Sequence, residues 1–289
     1  MKKITLPISL LMHEGPIARI YLGLFYEYGF RFKRIYFLNY QNDNIKKKKI
    51  APFLPIFLKK IIAKQIHSYQ LNYWVHYLKR KYPYLYLEIA KKFSKKLKIK
   101  INVYEHLFKL KKMNEYCLDY KELFLKNFLE LNKVFLNNKE NFLFSGGGIL
   151  PKKLFESKHT NLIHIHPGFL PNIKGADGLL WSIKKRKKLG VSAFIMNEKL
   201  DCGDIIIRNN INFPKITKKI LHLENKTVYR LIFSFIDPLL RAYCLKKIIQ
   251  ENGFDLKKKK LIKQNHKQGS TYSFMPEDLR IEIYKKLCE

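Results

Sequence analysis

A chain of 289 residues can bury a sizeable core, as one large domain or one and a half. Its formal net charge of +34 resembles that of a nucleic-acid or membrane binder, yet of its 57 basic residues 48 are lysine and 9 arginine. Phosphate-reading surfaces favour the arginine fork, so the charge reads as a solvated basic surface with no specific nucleic-acid site.

The opening MKKITLPISLLM imitates a signal peptide, but no small-residue cleavage site follows and His13-Glu14 comes at once. It reads as a first strand over residues 3–12. Glu14-Gly15-Pro16 turns into a helix from Ile17 to Tyr28, and Gly29 stops it. Arg34 to Leu38 is a second strand. This β-α-β start lacks the GxGxxG fingerprint, which leaves dinucleotide binding unsupported. Residues 46–98 are basic, aromatic and helical. Amphipathic helices whose Tyr, Trp and Leu face a core are preferred there over a single-strand stacking surface, which makes His67 and His76 ordinary partly buried histidines. Ile99 to Tyr104 is predicted as a strand, Lys121 to Leu136 as a helix, and Phe142 to Phe144 as a buried strand running into Ser145-Gly146-Gly147-Gly148.

The most informative stretch is 161–204. An apolar strand, Leu162 to Ile165, ends at Pro167. His164 and His166 lie two apart on it, so both imidazoles share a face. Pro167, Gly168, Pro171 and Gly175 make a turn-rich loop. A helix from Gly178 to Lys188, a strand from Val191 to Met196 and the loop Asp201-Cys202-Gly203-Asp204 follow. Two imidazoles and a carboxylate thus fall at strand ends, where open α/β sheets form their sites. Ile205 to Asn212 continues the sheet, and Thr227 to Glu251 is a helix bent near Pro238. Lys257 to Lys260 is a solvated charge run. Cys117, Cys202, Cys244 and Cys288 show no metal or disulfide spacing, which suits a reducing cytoplasm. No run reaches the ~18 apolar residues of a spanning helix, so no membrane role is expected.

HxHPGxLPxxxG over 164–175, then GVSAFI over 190–195, then LDxGDII over 200–206, resembles the folate-dependent formyltransferases, including the glycinamide ribonucleotide, methionyl-tRNA and sugar-nucleotide enzymes. The resemblance covers roughly residues 143–208. It implies an α/β, Rossmann-like formyltransferase fold, with a central mostly parallel sheet, flanking helices, a helical insertion and a short C-terminal helical tail. Residues 1–215 would form that domain, with the insertion at about 46–98, and residues 216–289 would pack on it as a helix and tail. It also implies 10-formyltetrahydrofolate as formyl donor and an amine as acceptor. Carried over, His166 and Asp201 match the family's His and Asp, while His164 stands where the family has Asn. Gly148, Ile149, Leu150 and Leu200 match donor-binding positions. Asp177 matches an acceptor-binding position, with residues 174–178 lining the acceptor pocket.

His166 is expected to polarise the formyl oxygen and Asp201 to orient His166 and relay protons with a water. A neutral His164 offers one N–H in place of the amide donor. The 74 residues after Lys215 leave no room for the C-terminal barrel of the tRNA enzymes, and Met12 to Pro16 does not match the phosphate loop of the ribonucleotide enzymes. A small-molecule amine remains, an amino sugar nucleotide among the candidates. Two other readings stay open. One is a catalytically inactive formyltransferase-like binding protein. The other is a metal hydrolase using His164, His166 and Asp201, against which no third His or Glu stands at ligand spacing and His159 precedes the strand; no metal is expected. The oligomeric state is not legible.

Overall fold

The computed structural model describes residues 3–289 except 44, 139, 157–159, 257, 258 and 266. His159 and the first two lysines of the 257–260 run therefore lie outside the described residues. In chain order the main elements are β1 (Ile4–His13), α1 (Pro16–Glu27), β2 (Phe30–Tyr40), α2 (Ile56–Lys81), α3 (Pro83–Leu97), β3 (Cys117–Leu125), α4 (Asn132–Leu136), β4 (Asn141–Phe144), β5 (Asn161–His166), β6 (Ile173–Gly175), α5 (Gly178–Arg186), β7 (Leu189–Ile195), β8 (Ile205–Ile211), α6 (Asn225–Leu231), α7 (Asp237–Asn252), β9 (Ser270–Tyr272) and α8 (Glu277–Cys288).

The architecture is α/β. A seven-stranded sheet has the order β3-β2-β1-β4-β5-β7-β8. The first five of these are parallel, and β7 runs antiparallel to both β5 and β8. Strands buried on both faces read as near-continuous apolar runs, and β1 is buried throughout from Ile8 to Met12, with Ser9 as the one polar residue. Its Ile8, Leu10 and Met12 join the large core beneath α1 and α7, while Leu11 joins a smaller core on the other face with Phe135, Phe142 and Phe144. Strand order reverses between β1 and β4, so a crevice opens at their carboxyl ends beside the end of β5.

Two sequence expectations fail for physical reasons. Ile101–Leu107 is a 3₁₀ helix rather than part of a strand. Its β-branched residues favour extension in isolation, but packing decides: Val103 and Leu107 are fully buried against α1, and Gly23 admits the close approach, since a Cβ there would lie 2.7 Å from the Val103 carbonyl oxygen. The helix expected from Lys121 to Leu136 is instead the end of β3, a 3₁₀ turn and the five-residue α4. β3 is an edge strand, paired only with β2, so Asp119, Lys121 and Glu122 tolerate it. Asn127 then accepts the Leu129 N–H at 2.9 Å and starts the 3₁₀ turn.

The insertion is helical, as α2 and α3, with Val75, Leu78, Leu85, Ile89 and Phe93 in the core. The aromatic residues divide: Trp74 packs against the core, while Tyr69 and Tyr73 are exposed. The expected bend near Pro238 is a π turn, Ile232–Ile236, inserted between α6 and α7. Proline lacks the N–H that would continue an α-helical ladder. The C-terminal segment adds β9, paired in parallel with β6, and α8, whose Ile283, Tyr284 and Leu287 are buried in the main core. Among the described residues, no helix is long and apolar enough to cross a membrane.

Candidate active site

His164, His166, Asp201, Gly148, Ile149, Leu150, Leu200 and Asp177 all border one cavity of roughly 730 Å³ at the carboxyl end of β4 and β5. The wall is largely apolar, with Phe144, Phe155, Phe194, Met196 and Phe233. Leu150 is anchored in the small core, while Ile149 is exposed and leans over the rim. Gly148 has φ +93°, a conformation that L side chains rarely adopt.

β5 delivers the histidines two residues apart, but their nitrogens face different partners. The His166 Nε2–H donates to the Ile173 carbonyl at 3.0 Å, which leaves Nδ1 facing the Asp201 carboxylate at 3.6 Å. Gly168 and Gly178 make room for this ring, since a Cβ on either would fall within 3 Å of Nε2. The expected donation from His166 to a formyl oxygen thus cannot come from Nε2, which is already paired. Burial lowers the His166 pKa, and the neighbouring Asp201 charge opposes that shift.

The His164 Nδ1–H donates to the Phe144 carbonyl at 3.3 Å, and Nε2 accepts from the Arg241 guanidinium at 3.5 Å. A carbonyl can only accept, so the ring's single neutral-state proton sits on Nδ1. Burial, reinforced by the Arg241 charge, holds the His164 pKa at about 3. The expectation that His164 replaces an amide donor therefore meets a geometric obstacle: its N–H points at backbone, and its cavity-side nitrogen is a lone pair.

Asp201 is buried on a loop that needs unusual backbone, with φ +53° at Asp201 itself. Gly203 is required next to it, because a Cβ would lie 1.6 Å from the Ile195 carbonyl oxygen. Gln264 fastens the loop by donating to the Asp201 and Gly203 carbonyls, and the Gly175 N–H donates to the Asp201 carboxylate at 2.7 Å. Asp177, expected to meet the acceptor, has one carboxylate oxygen accepting from the Tyr229 hydroxyl at 2.7 Å and the other from the Met275 N–H at 2.8 Å. It ties the C-terminal segment to the cavity wall. Lys174 is drawn away to the Gln268 carbonyl. Trp181 stacks on Tyr272 with centroids 4.4 Å apart and does not itself border the cavity.

Sequence reasoning missed Arg241, Tyr229, Phe233, Gln264 and the 272–274 segment, all of which border or fasten the site. The signal for Arg241 was present: Asp237 and Arg241, four residues apart, interrupt the largely apolar run from Leu231 to Leu245. Among the described residues, no three His, Cys, Asp or Glu side chains converge as metal ligands. The Arg241 cation against His164 also repels a metal ion there.

Residues 141–229 match the formyl transferase family model. A methionyl-tRNA formyltransferase of Bacillus cytotoxicus is 30% identical over 104 residues, covering 32% of this chain and 33% of that protein. One from Bacillus mycoides is 30% identical over 107 residues, covering 33% and 34%. The chain thus spans about a third of the length of the curated relatives it matches. Among solved structures, a sugar N-formyltransferase from a Shewanella species aligns over 98% of this chain and 86% of its own, at 12% identity and TM-score 0.47. The formyltransferase PseJ from Anoxybacillus kamchatkensis, solved with a UDP-linked formamido sugar and tetrahydrofolate, aligns over 59% and 89%, at 20% identity and TM-score 0.37. The stretch 141–229, matched by the formyl transferase family model, holds most of the cavity wall.

Proposed function

We propose that this chain, with its formyltransferase-type segment, transfers a formyl group from 10-formyltetrahydrofolate to the amine of a small acceptor, an amino sugar nucleotide among the candidates. The observation that carries the reading is a buried carboxylate, Asp201, facing a buried imidazole, His166, across the floor of an apolar cavity rimmed by glycine backbone. The donor's flat ring system needs such a slot. The residues fit it: a Cβ built on Gly147 or Gly148 meets nothing within 4 Å, so this loop borders open space in a cavity that Phe194 and Met196 also line. Gly148, Ile149, Leu150 and Leu200 would hold the ring and its linker.

Transfer requires an acceptor for the amine proton and a proton for the departing folate nitrogen. Asp201 supplies both in turn, directly or through one water. The Gly175 N–H anchors one of its oxygens. His166, turned by Ile173 so that its Nδ1 lone pair faces Asp201, would accept a hydrogen bond from that group once it has taken up the proton.

One observation favours a second reading, a catalytically inactive binding protein: the N–H of His164 points at Phe144 rather than into the cavity. A turnover assay separates the two. The purified chain is incubated with 10-formyltetrahydrofolate and a panel of amines, including UDP- and dTDP-linked amino sugars and methionyl-tRNA, and tetrahydrofolate release is followed. The proposal expects acceptor-dependent release, and Asp201→Asn should cut its rate by ~10²- to 10⁴-fold. Folate binding without release for any acceptor would favour the inactive reading.

A further inference from the structure

Arg241 lies on α7 with 9% of its surface exposed, and it borders the cavity beside His164. Its Nε donates to both carboxylate oxygens of Asp237 at 3.1 Å, and Nη1 donates to the Ile165 carbonyl. Nη1 carries two protons. The second points at His164 Nε2 across 3.5 Å, the outer limit of a hydrogen bond. That proton is loosely held, and an oxygen lodged between the two side chains would take it at a shorter distance. A buried ion pair is a costly feature to keep for packing alone. Here Asp237 balances the guanidinium, and the Ile165 carbonyl fixes its plane at the end of the strand that carries both histidines.

Resting on the formyl-transfer reading, we propose that Arg241 is the hydrogen-bond donor and fixed positive charge for the formyl oxygen, while His164 positions the guanidinium in the donor-free protein by accepting the proton that the formyl oxygen later takes. The amine lone pair forms the new C–N bond, and the carbonyl π pair moves to oxygen, giving an oxyanion against Arg241 Nη1. The amine proton passes to Asp201. The oxyanion then re-forms C=O, the bond to the folate nitrogen breaks, and that nitrogen takes the proton from Asp201. Arg241 stays protonated throughout. Such a donor acts most strongly on the charge that develops in the transition state, so it should govern kcat more than donor affinity.

The same geometry makes a statement about the donor-free protein. Arg241 on α7, Asp201 on its loop and His166 on β5 are the charged or titratable groups that influence His164. With Arg241 in place His164 stays neutral, with its proton on Nδ1. The test compares the wild type, Arg241→Lys and the paired Asp237→Asn/Arg241→Gln variant. The paired variant removes both charges together, so no buried carboxylate is stranded. The readouts are circular dichroism, affinity for 5-formyltetrahydrofolate, release of formate from 10-formyltetrahydrofolate with water as acceptor, and ¹⁵N NMR of the His164 ring.

The expected result is a folded paired variant with 5-formyltetrahydrofolate affinity within threefold of wild type. Its kcat should fall by ~10²-fold or more, Arg241→Lys should recover part of that loss, and His164 should begin to titrate nearer its ordinary value. If the paired variant misfolds, Arg241→Lys carries the test: kcat equal to wild type overturns the proposal, and a drop in kcat with unchanged affinity supports it. A proton found on Nε2 of wild-type His164, or a folded paired variant with kcat within threefold, also overturns it. If wild type binds no folate, the formyl-transfer reading fails and the proposal falls with it. If wild type binds folate and releases formate but Arg241 is dispensable, only the proposal fails.

Discussion

At the β1 turn, a half-buried Arg19 pairs with the buried Glu14; at the β5 turn, Asp201, His166, Asp237 and Arg241 are buried together. Both clusters sit at the carboxyl edge of the same sheet. In the first, every strong donor finds a protein partner: Arg19 donates to Glu14 at 2.6 Å, to the Leu107 carbonyl at 2.8 Å and to Ser68 at 3.3 Å, and Asn72 donates to Glu14 at 3.0 Å. That network clamps α1, α2 and the 3₁₀ helix to one another. In the second, the contacts that matter are long, at 3.6 Å for His166–Asp201 and 3.5 Å for His164–Arg241, and both open onto a cavity. The first cluster also borders open space, a cavity of roughly 860 Å³ lined in part by Arg19, Ser68 and Asn72, so it is the closed pairing of its donors, and not distance from a cavity, that marks it as structural. Gross charge distinguishes neither.

This contrast can be broken from either side. The largest expected effect is on the closed side. Arg19→Leu leaves the Glu14 carboxylate buried without its cation, held only by Asn72, which should cost about 3 kcal/mol in urea unfolding. The folded fraction should still bind 5-formyltetrahydrofolate. Loss of binding with stability intact would reverse the assignment of the two clusters.

A smaller effect is the pH dependence. Burial holds His164 near a pKa of about 3, and burial with the nearby His67 holds His13 near about 4, both below the ordinary 6.5. The unfolded chain therefore binds more protons than the folded one as pH drops through 6.5, so folded stability is full above that value and declines as pH falls towards 4 and 3. Between pH 6.5 and 5 each histidine should withdraw about 1–2 kcal/mol, read as a falling Tm. His164→Asn should remove one such contribution. A Tm that is flat over that interval would contradict the neutral state of both rings.

The sequence made the β4–β8 half of the molecule legible because that half is written in strong local signals. Pro167 follows the last residue of β5, Gly203 stands in the loop before β8 where a side chain cannot be accommodated, and the period of two in His164-x-His166 survives folding unchanged. The regions that misled are those where packing overrides propensity. Residues 101–107 carry β-branched residues yet coil against Gly23, and the charged edge strand β3 has apolar residues that also suit a helix. At the site, residue identity showed which groups would meet but not which way their protons point. Neither the spacing of His164 nor its type foretold that Phe144 would claim its N–H, since that depends on a carbonyl 20 residues away in the chain. Arg241 and Gln264 reach the site from more than 60 residues beyond their partners, a distance over which a single sequence carries no register.

The most direct test of the account is calorimetric titration of the full chain with 5-formyltetrahydrofolate, repeated on Leu150→Arg, which places a charge in the cavity wall. Saturable one-site binding by the wild type, weakened at least tenfold in the variant, is the predicted result. No heat of binding at millimolar ligand, or equal affinity in both proteins, would contradict the placement of the folate donor in this cavity.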